Sequence, residues 1–352
     1  MSSEANEHVE EILDAELSIV DPHHHLWYWP RAAIAAMPAS GNPYWHMLNT
    51  HSRYLLDEFL IDASAGHDIC ATVCVEAHTM YRRHGPESTR SLGEVEFING
   101  AAAMADSGVF GDVTACAGIV GNVDLKKLGD AVEEVLLSHV RAGGGRYRGV
   151  RTPIAYDADA ALIPYGVHTV PHILLDKEFR AGFKWLHKLG LSFDVWPLEP
   201  QIPELLDLAR TFPDTQIILN HLGTPLGVGR YLGKRAERFA VWQQGIRSLA
   251  KCENVAVKVG GLGMPILGFG SFQAQPAATS EELASEWRPY VETCIEAFGA
   301  SRCMFESNFP VDSATCTYPV LWNAFKRLAA GASSHEKAAL FRETAMRVYR
   351  LE

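Results

Sequence analysis

The sequence predicts a (β/α)8 TIM barrel with long loops after strands 1, 4 and 7, and three observations carry that reading. Short apolar, β-branched runs recur along the 352 residues. Longer stretches with helical periodicity separate them, and no composition shift marks a linker between two domains. Nearly continuous apolar strands alternating with helices signify a parallel sheet covered by helices. Eight such units favour a closed barrel over an open doubly wound sheet. The chain 1–352 is therefore expected to form a single domain, with 1–16 as an N-terminal extension.

The expected strands are 17–21 (LSIVD), 69–76 (ICATVCVE), 113–120 (VTACAGIV), 147–151 (YRGVR), 191–196 (LSFDVW), 216–221 (QIILNH), 255–260 (VAVKVG) and 303–308 (CMFESN). Helices are expected over 130–142, 177–190, 202–211, 231–251 and 281–298, where apolar residues return every three or four positions. Three connections exceed plain turns: 23–60, rich in Trp, Pro and Tyr; 152–176; and 262–281, rich in Gly, Pro and Ala. Each follows a strand C-terminus, the face on which barrels build their active sites. Long loops in compact domains commonly serve as lids or binding loops.

Composition narrows the function classes. With 47% hydrophobic and 21% charged residues the chain can bury a large core, so disorder is excluded as its main state. A net charge of −11 argues against a nucleic-acid binder, which needs a basic face. No apolar run approaches a membrane span, and the acidic start MSSEANEHVEEILDAE is unlike a secretory signal. The seven cysteines are scattered, several inside apolar runs, which suits reduced core thiols in a cytoplasmic protein. No CxxC occurs, so a zinc cluster of cysteines is not expected.

The sharpest motif is Asp21-Pro22-His23-His24-His25, at the end of the first strand. Side chains alternate across a strand, so Asp21, His23 and His25 are expected on one face. Two imidazoles so placed suit a divalent ion such as zinc; the plain alternative is a polar strand-to-loop turn. Pro22 lacks an N–H, so regular pairing should loosen there. Asn220-His221-Leu222-Gly223-Thr224-Pro225 ends strand six, and Glu306-Ser307-Asn308-Phe309-Pro310-Val311-Asp312 ends strand eight. Donors from three separated strand ends at one rim are what a catalytic barrel requires.

At these residues the chain resembles a known family. DPHHHLW, HLGTP and MFESNFPVD, with Gly149–Arg151 of strand four, are similar to the amidohydrolase superfamily, in its amidohydrolase-2 branch. That branch comprises TIM-barrel hydrolases, sugar lactonases and pyrone-dicarboxylate lactonase among them. The resemblance implies a hydrolase with His23, His25 and His221 as metal or substrate ligands and one divalent metal, zinc foremost. No organic cofactor is implied. Two departures weaken the metal shell: Asn308 stands where the strand-eight motif usually presents Asp, and Asp194 where metal-dependent relatives often place His. An amide cannot take a proton from water as a carboxylate can.

If Asn308 is not the base, Glu76, Asp194, Glu306 and Asp312 are the carboxylates within reach, with His221 as a further candidate. Inward carboxylates need partners, and Arg151 and Lys258 are the cations at hand. Lys258 reads as an internal ion pair. Arg151 suits either an ion pair or a clamp on a substrate carboxylate. Trp27, Trp196, Tyr165 and His172 are candidates to line the substrate pocket, against the plainer reading that the aromatic residues of these loops only pack onto the barrel. The leading expectation is opening of a small cyclic ester, a lactone, or hydrolysis of a related ester or amide. The alternatives are nonoxidative decarboxylation of an aromatic or enoic acid, and a barrel that only binds a ligand. The expected partner is a small molecule rather than nucleic acid or membrane, with homo-oligomers left open.

Overall fold

The computed structural model describes residues 10–36, 48, 50–159, 162–163 and 169–351. Eight parallel strands follow one another in chain order around the sheet: β1 (Ile19–His24), β2 (Ile69–Val75), β3 (Thr114–Gly121), β4 (Tyr147–Val150), β5 (Ser192–Val195), β6 (Ile217–Leu219), β7 (Val255–Val259) and β8 (Cys303–Phe305). The ring closes where the last strand returns to the first. His24 bridges Phe309 in parallel, Asn308 N–H donates to the His23 carbonyl at 2.8 Å, and His25 N–H donates to the Phe309 carbonyl at 2.8 Å. The architecture is thus the expected (β/α)8 barrel.

Each expected strand run overlaps an observed strand; six of the observed strands stop short of the expected C-terminal end, while β1 and β3 run past it. The reason is chemical: the residues beyond the last ladder bond are the polar ones that turn into the mouth. The helices lie where the periodicity places them. Ile202–Thr211 has Pro203 in its first turn, where a missing N–H costs nothing. Lys177–Lys188 starts at Asp176, whose carboxylate accepts from the Glu178 and Phe179 N–H groups. Ser280–Phe298 opens on a capping box between Thr279 and Glu282.

Strand β1 departs from simple alternation. Asp21 is level with Thr72 and His24 with Cys74, so three steps on β1 match two on β2. The extra residue falls at Pro22–His23, where the missing N–H loosens the ladder. A one-residue bulge exchanges the faces of everything beyond it. Asp21 therefore does not join the imidazoles, contrary to the alternation argument. Its carboxylate accepts from Ser307 N–H at 3.0 Å, Ser307 Oγ at 2.6 Å and Tyr318 Oη at 3.0 Å.

Two apolar layers result. One lies between strands and helices; the other fills the barrel itself, with Val20, Ala71, Val73, Val75, Val120, Ile218, Ala256 and Met304. The C-terminal helix Thr344–Tyr349 packs into this second layer through Ala345, Val348 and Tyr349. Tyr349 is wholly buried, and its hydroxyl donates to Asp194 Oδ2 at 2.7 Å. Removing that hydroxyl leaves a buried carboxylate one donor short. Tyr349→Phe is expected to lose about 1.5–3 kcal/mol, the range for a hydrogen bond to a charged group, read as a lower urea midpoint with an unchanged denaturant slope.

Candidate active site

Beyond the bulge, His23 faces the barrel interior and meets residues from four other strands. Its Nδ1 lies 2.7 Å from Glu306 Oε2 and 3.2 Å from Lys258 Nζ, and its Nε2 lies 3.4 Å from an Arg151 guanidinium nitrogen. Glu306 continues inward from β8, and its Oε1 lies 2.7 Å from His221 Nδ1 and accepts from His221 N–H at 3.1 Å. One carboxyl group thus spans two imidazoles whose ring centroids are 4.7 Å apart. His25 completes the group: its ring lies 4.9 Å from His23, and its Nδ1–H donates to the Val75 carbonyl at 2.8 Å. That bond fixes the tautomer and leaves Nε2 unprotonated.

The backbone makes room for these groups. His221 and Leu222 adopt left-handed conformations at φ 52° and 53°, turning the chain sharply at the end of β6. Gly260 and Gly261 follow β7 directly. A Cβ at 260 would come within 2.4 Å of both Glu306 Cγ and the Glu306 carbonyl oxygen, and one at 261, where φ is +65°, within 2.4 Å of His221 Nδ1. Only glycine permits that approach.

Two ion pairs flank the imidazoles. Arg151 donates through Nε to Glu76 Oε1 at 2.6 Å and also to the Glu76 carbonyl. Lys258 donates to Asp194 Oδ2 at 2.8 Å, and Asn220 Nδ2 reaches the same oxygen at 3.2 Å. Lys258 and Asp194 are wholly buried. Burial, with Lys258, Arg151 and the other rings nearby, holds His23 well below the usual imidazole range. Burial, Arg151 and Lys258 do the same to His221, and burial with Arg151 to His25. The imidazoles are therefore neutral at pH 7, the form that ligates a metal or accepts a proton. Burial pushes Glu306 up to about 8 against the pull of Lys258. The free cluster thus retains a proton on the carboxyl at neutral pH.

The remaining sequence-derived candidates are placed as follows. Asn308 Nδ2 donates to Asp312 Oδ1 at 2.8 Å, and the Gly263 N–H donates to Asp312 Oδ2 at 2.9 Å. Asp312 is buried and pushed up to about 8 by that burial. Trp27 is buried with its ring 5.8 Å from His25, and Trp196 stands edge-on to His221 at 6.2 Å. His172 is not brought to the cluster: its side chain is 74% exposed and paired with Glu204 on the helix Ile202–Thr211. Tyr165 lies outside the described residues, as do Tyr44 and Trp45 of the aromatic-rich 23–60 loop. Glu306 was legible only as one carboxylate among several. The signal that singles it out is alternation on β8, which turns Met304 and Glu306 inward and Ser307 outward to Asp21.

A divalent cation fits this donor set. The ligand atoms of His23, His221 and Glu306 all lie within 4.8 Å of one another and are buried. Glu306 Oε2, 2.7 Å from His23 Nδ1, is buried and makes no hydrogen bond among the described residues. An ion there would compensate a carboxylate that burial otherwise keeps protonated.

Comparison with known proteins agrees with the architecture. The family model "Amidohydrolase" matches residues 20–351, and the chain belongs to that family. It is 34% identical to an uncharacterised protein of Sinorhizobium fredii over 344 residues, covering 96% of this chain and 100% of the relative. It is 24% identical to the L-fucono-1,5-lactonase of Burkholderia multivorans over 339 residues, covering 94% and 96%. A crystal structure of an amidohydrolase from B. multivorans with bound zinc superposes with a TM-score of 0.69 at 23% identity, covering 95% of this chain and 99% of that one.

The buried pair gives a direct test of the electrostatics. Lys258→Met strands Asp194 and is expected to cost about 3–5 kcal/mol. Lys258→Met with Asp194→Asn should recover most of that loss, because no charge is then left unpaired. Urea denaturation of the single and double variants checks both.

Proposed function

We propose that this protein hydrolyses a small, polar cyclic ester. The carrying observation is the Glu306 carboxyl placed between His221 and His23 at 2.7 Å from each. A carboxylate on Nδ1 of an imidazole orients the ring, presents the lone pair of Nε2 and stabilises the imidazolium that forms when Nε2 takes a proton. In this reading His221, backed by Glu306 once the carboxyl has released the proton it holds below about pH 8, accepts a proton from water as the oxygen attacks the lactone carbonyl. The ring C–O bond then breaks, and the proton passes to the departing alkoxide, giving a hydroxy acid. Arg151 keeps one guanidinium nitrogen beside His23, where it stabilises negative charge on the carbonyl oxygen or holds an acidic group of the substrate. Glu76 and Asp194 hold Arg151 and Lys258 in place.

His23, His221 and Glu306 would also suit a divalent cation, zinc being the ion that fits such nitrogen and oxygen donors; with an ion bound, His221 would serve as a ligand instead of as the base. When bound, the ion polarises the carbonyl and acidifies water. Membership of the amidohydrolase family and similarity to a lactonase support the choice of substrate class.

The test is a panel of sugar lactones and carboxylated lactones, followed by pH-indicator release of acid. Ring opening is expected for at least one class. His221→Ala and Glu306→Gln should each lower kcat/KM by about 10²–10⁴-fold, the usual contribution of a general base. His172→Ala should leave it unchanged. Carbon dioxide release from aromatic acids with no ring opening would overturn the reading in favour of decarboxylation.

A further inference from the structure

The bulge that turns His23 and His25 inward turns His24 outward, into the layer between strands and helices. There it meets two cysteines. His24 and Cys74 are register partners on β1 and β2, and Cys116 comes from β3. All three side chains are wholly buried. One ligand atom from each lies within 4.8 Å of the others, and Cys116 Sγ is 4.0 Å from His24 Nε2. We propose that His24, Cys74 and Cys116 form a thiolate zinc site in the wall of the barrel, separate from the catalytic cluster inside it.

The local structure is shaped around this group. Between Ala71 and Val73 on β2 the facing strand advances from Thr114 to Gly118, so β3 carries a pronounced bulge. Cys116 sits in that bulge at φ +56°, a left-handed conformation that a non-glycine residue adopts only when its surroundings enforce it. The Cys116 N–H donates to Thr72 Oγ1 at 2.9 Å, and the same hydroxyl lies 2.9 Å from His24 Nε2. The imidazole is clamped flat against Phe59, with centroids 3.9 Å apart and planes 10° from parallel. His24 Nδ1 is buried with no hydrogen-bond partner among the described residues. The nitrogen that faces Cys116 is Nε2, so the imidazole can ligate there in the tautomer that keeps its proton on Nδ1.

Charge selects the ion. Two thiolates and a neutral imidazole bring −2, which a divalent ion cancels, and a neutral complex is what a dry wall tolerates. Zn–S of about 2.3 Å and Zn–N of about 2.0–2.1 Å at a tetrahedral angle set sulfur and nitrogen about 3.6 Å apart. The observed 4.0 Å therefore needs a contraction of only a few tenths of an ångström. The hydroxyl of Thr72, 2.9 Å from His24 Nε2, places an oxygen beside the group.

The experiment uses the full chain expressed in minimal medium with Zn2+, or with Co2+ in its place, and then freed of loose metal by gel filtration. Elemental analysis should find a zinc equivalent per chain that Cys74→Ser and Cys116→Ser each lose. His23→Ala with His221→Ala, which removes the catalytic donors, should retain it. The cobalt-loaded wild-type protein should show the near-ultraviolet sulfur-to-cobalt charge-transfer band, a reading that does not depend on any variant folding. Absence of that band, or zinc content unchanged by both serine variants, would overturn the proposal.

Discussion

Everything at the centre of this protein depends on how β8 is fastened to β1. Asp21 takes two hydrogen bonds from Ser307, while the backbones of Asn308 and His25 complete the seam. Because side chains alternate, tying Ser307 outward to Asp21 commits Glu306 inward against His23. The bulge at Pro22–His23 makes the two demands compatible. Without the extra residue, His23 would lie on the side of Asp21, and the carboxyl of Glu306 would have no imidazole beside it.

The interior is also an exercise in charge pairing. A barrel lined with Val, Ile and Ala offers little solvation, so each inward charge carries its own partner. Glu76 takes Arg151, and Asp194 takes Lys258 with Asn220 and Tyr349 as further donors. Those pairs leave Glu306 as the acid whose partners are neutral rings, and burial lifts it to about 8. A group so poised changes its protonation state with little driving force, as acid–base chemistry near neutral pH requires. The same reasoning extends to the outer wall, where two thiols and an imidazole lie together without a countercharge.

Much of this was legible in the amino-acid sequence. Apolar runs alternating with helical periods gave the barrel, and the loops after strand ends gave the rim. Lys258 read as an internal ion pair, and it pairs with Asp194. The carboxylate question stayed open, because proximity among Glu76, Asp194, Glu306 and Asp312 is a matter of ring closure, not spacing. His172 was misplaced because a loop following a strand can lean outward as readily as inward, and here Glu204 draws it to the neighbouring helix. The absence of a CxxC spoke against clustered thiols, yet Cys74 and Cys116 meet across adjacent strands, where sequence spacing has no bearing.

What the chain determines by itself is the class of structure and the set of donors at each strand end, since those follow from local periodicity and residue chemistry. Which donors meet is decided only in three dimensions. A single surplus residue at Pro22–His23 exchanges the faces of β1, sending His23 and His25 inward and His24 into the wall. Hydrophobic pattern cannot reveal such a step, because it is registered only in the hydrogen-bond ladder with the neighbouring strand.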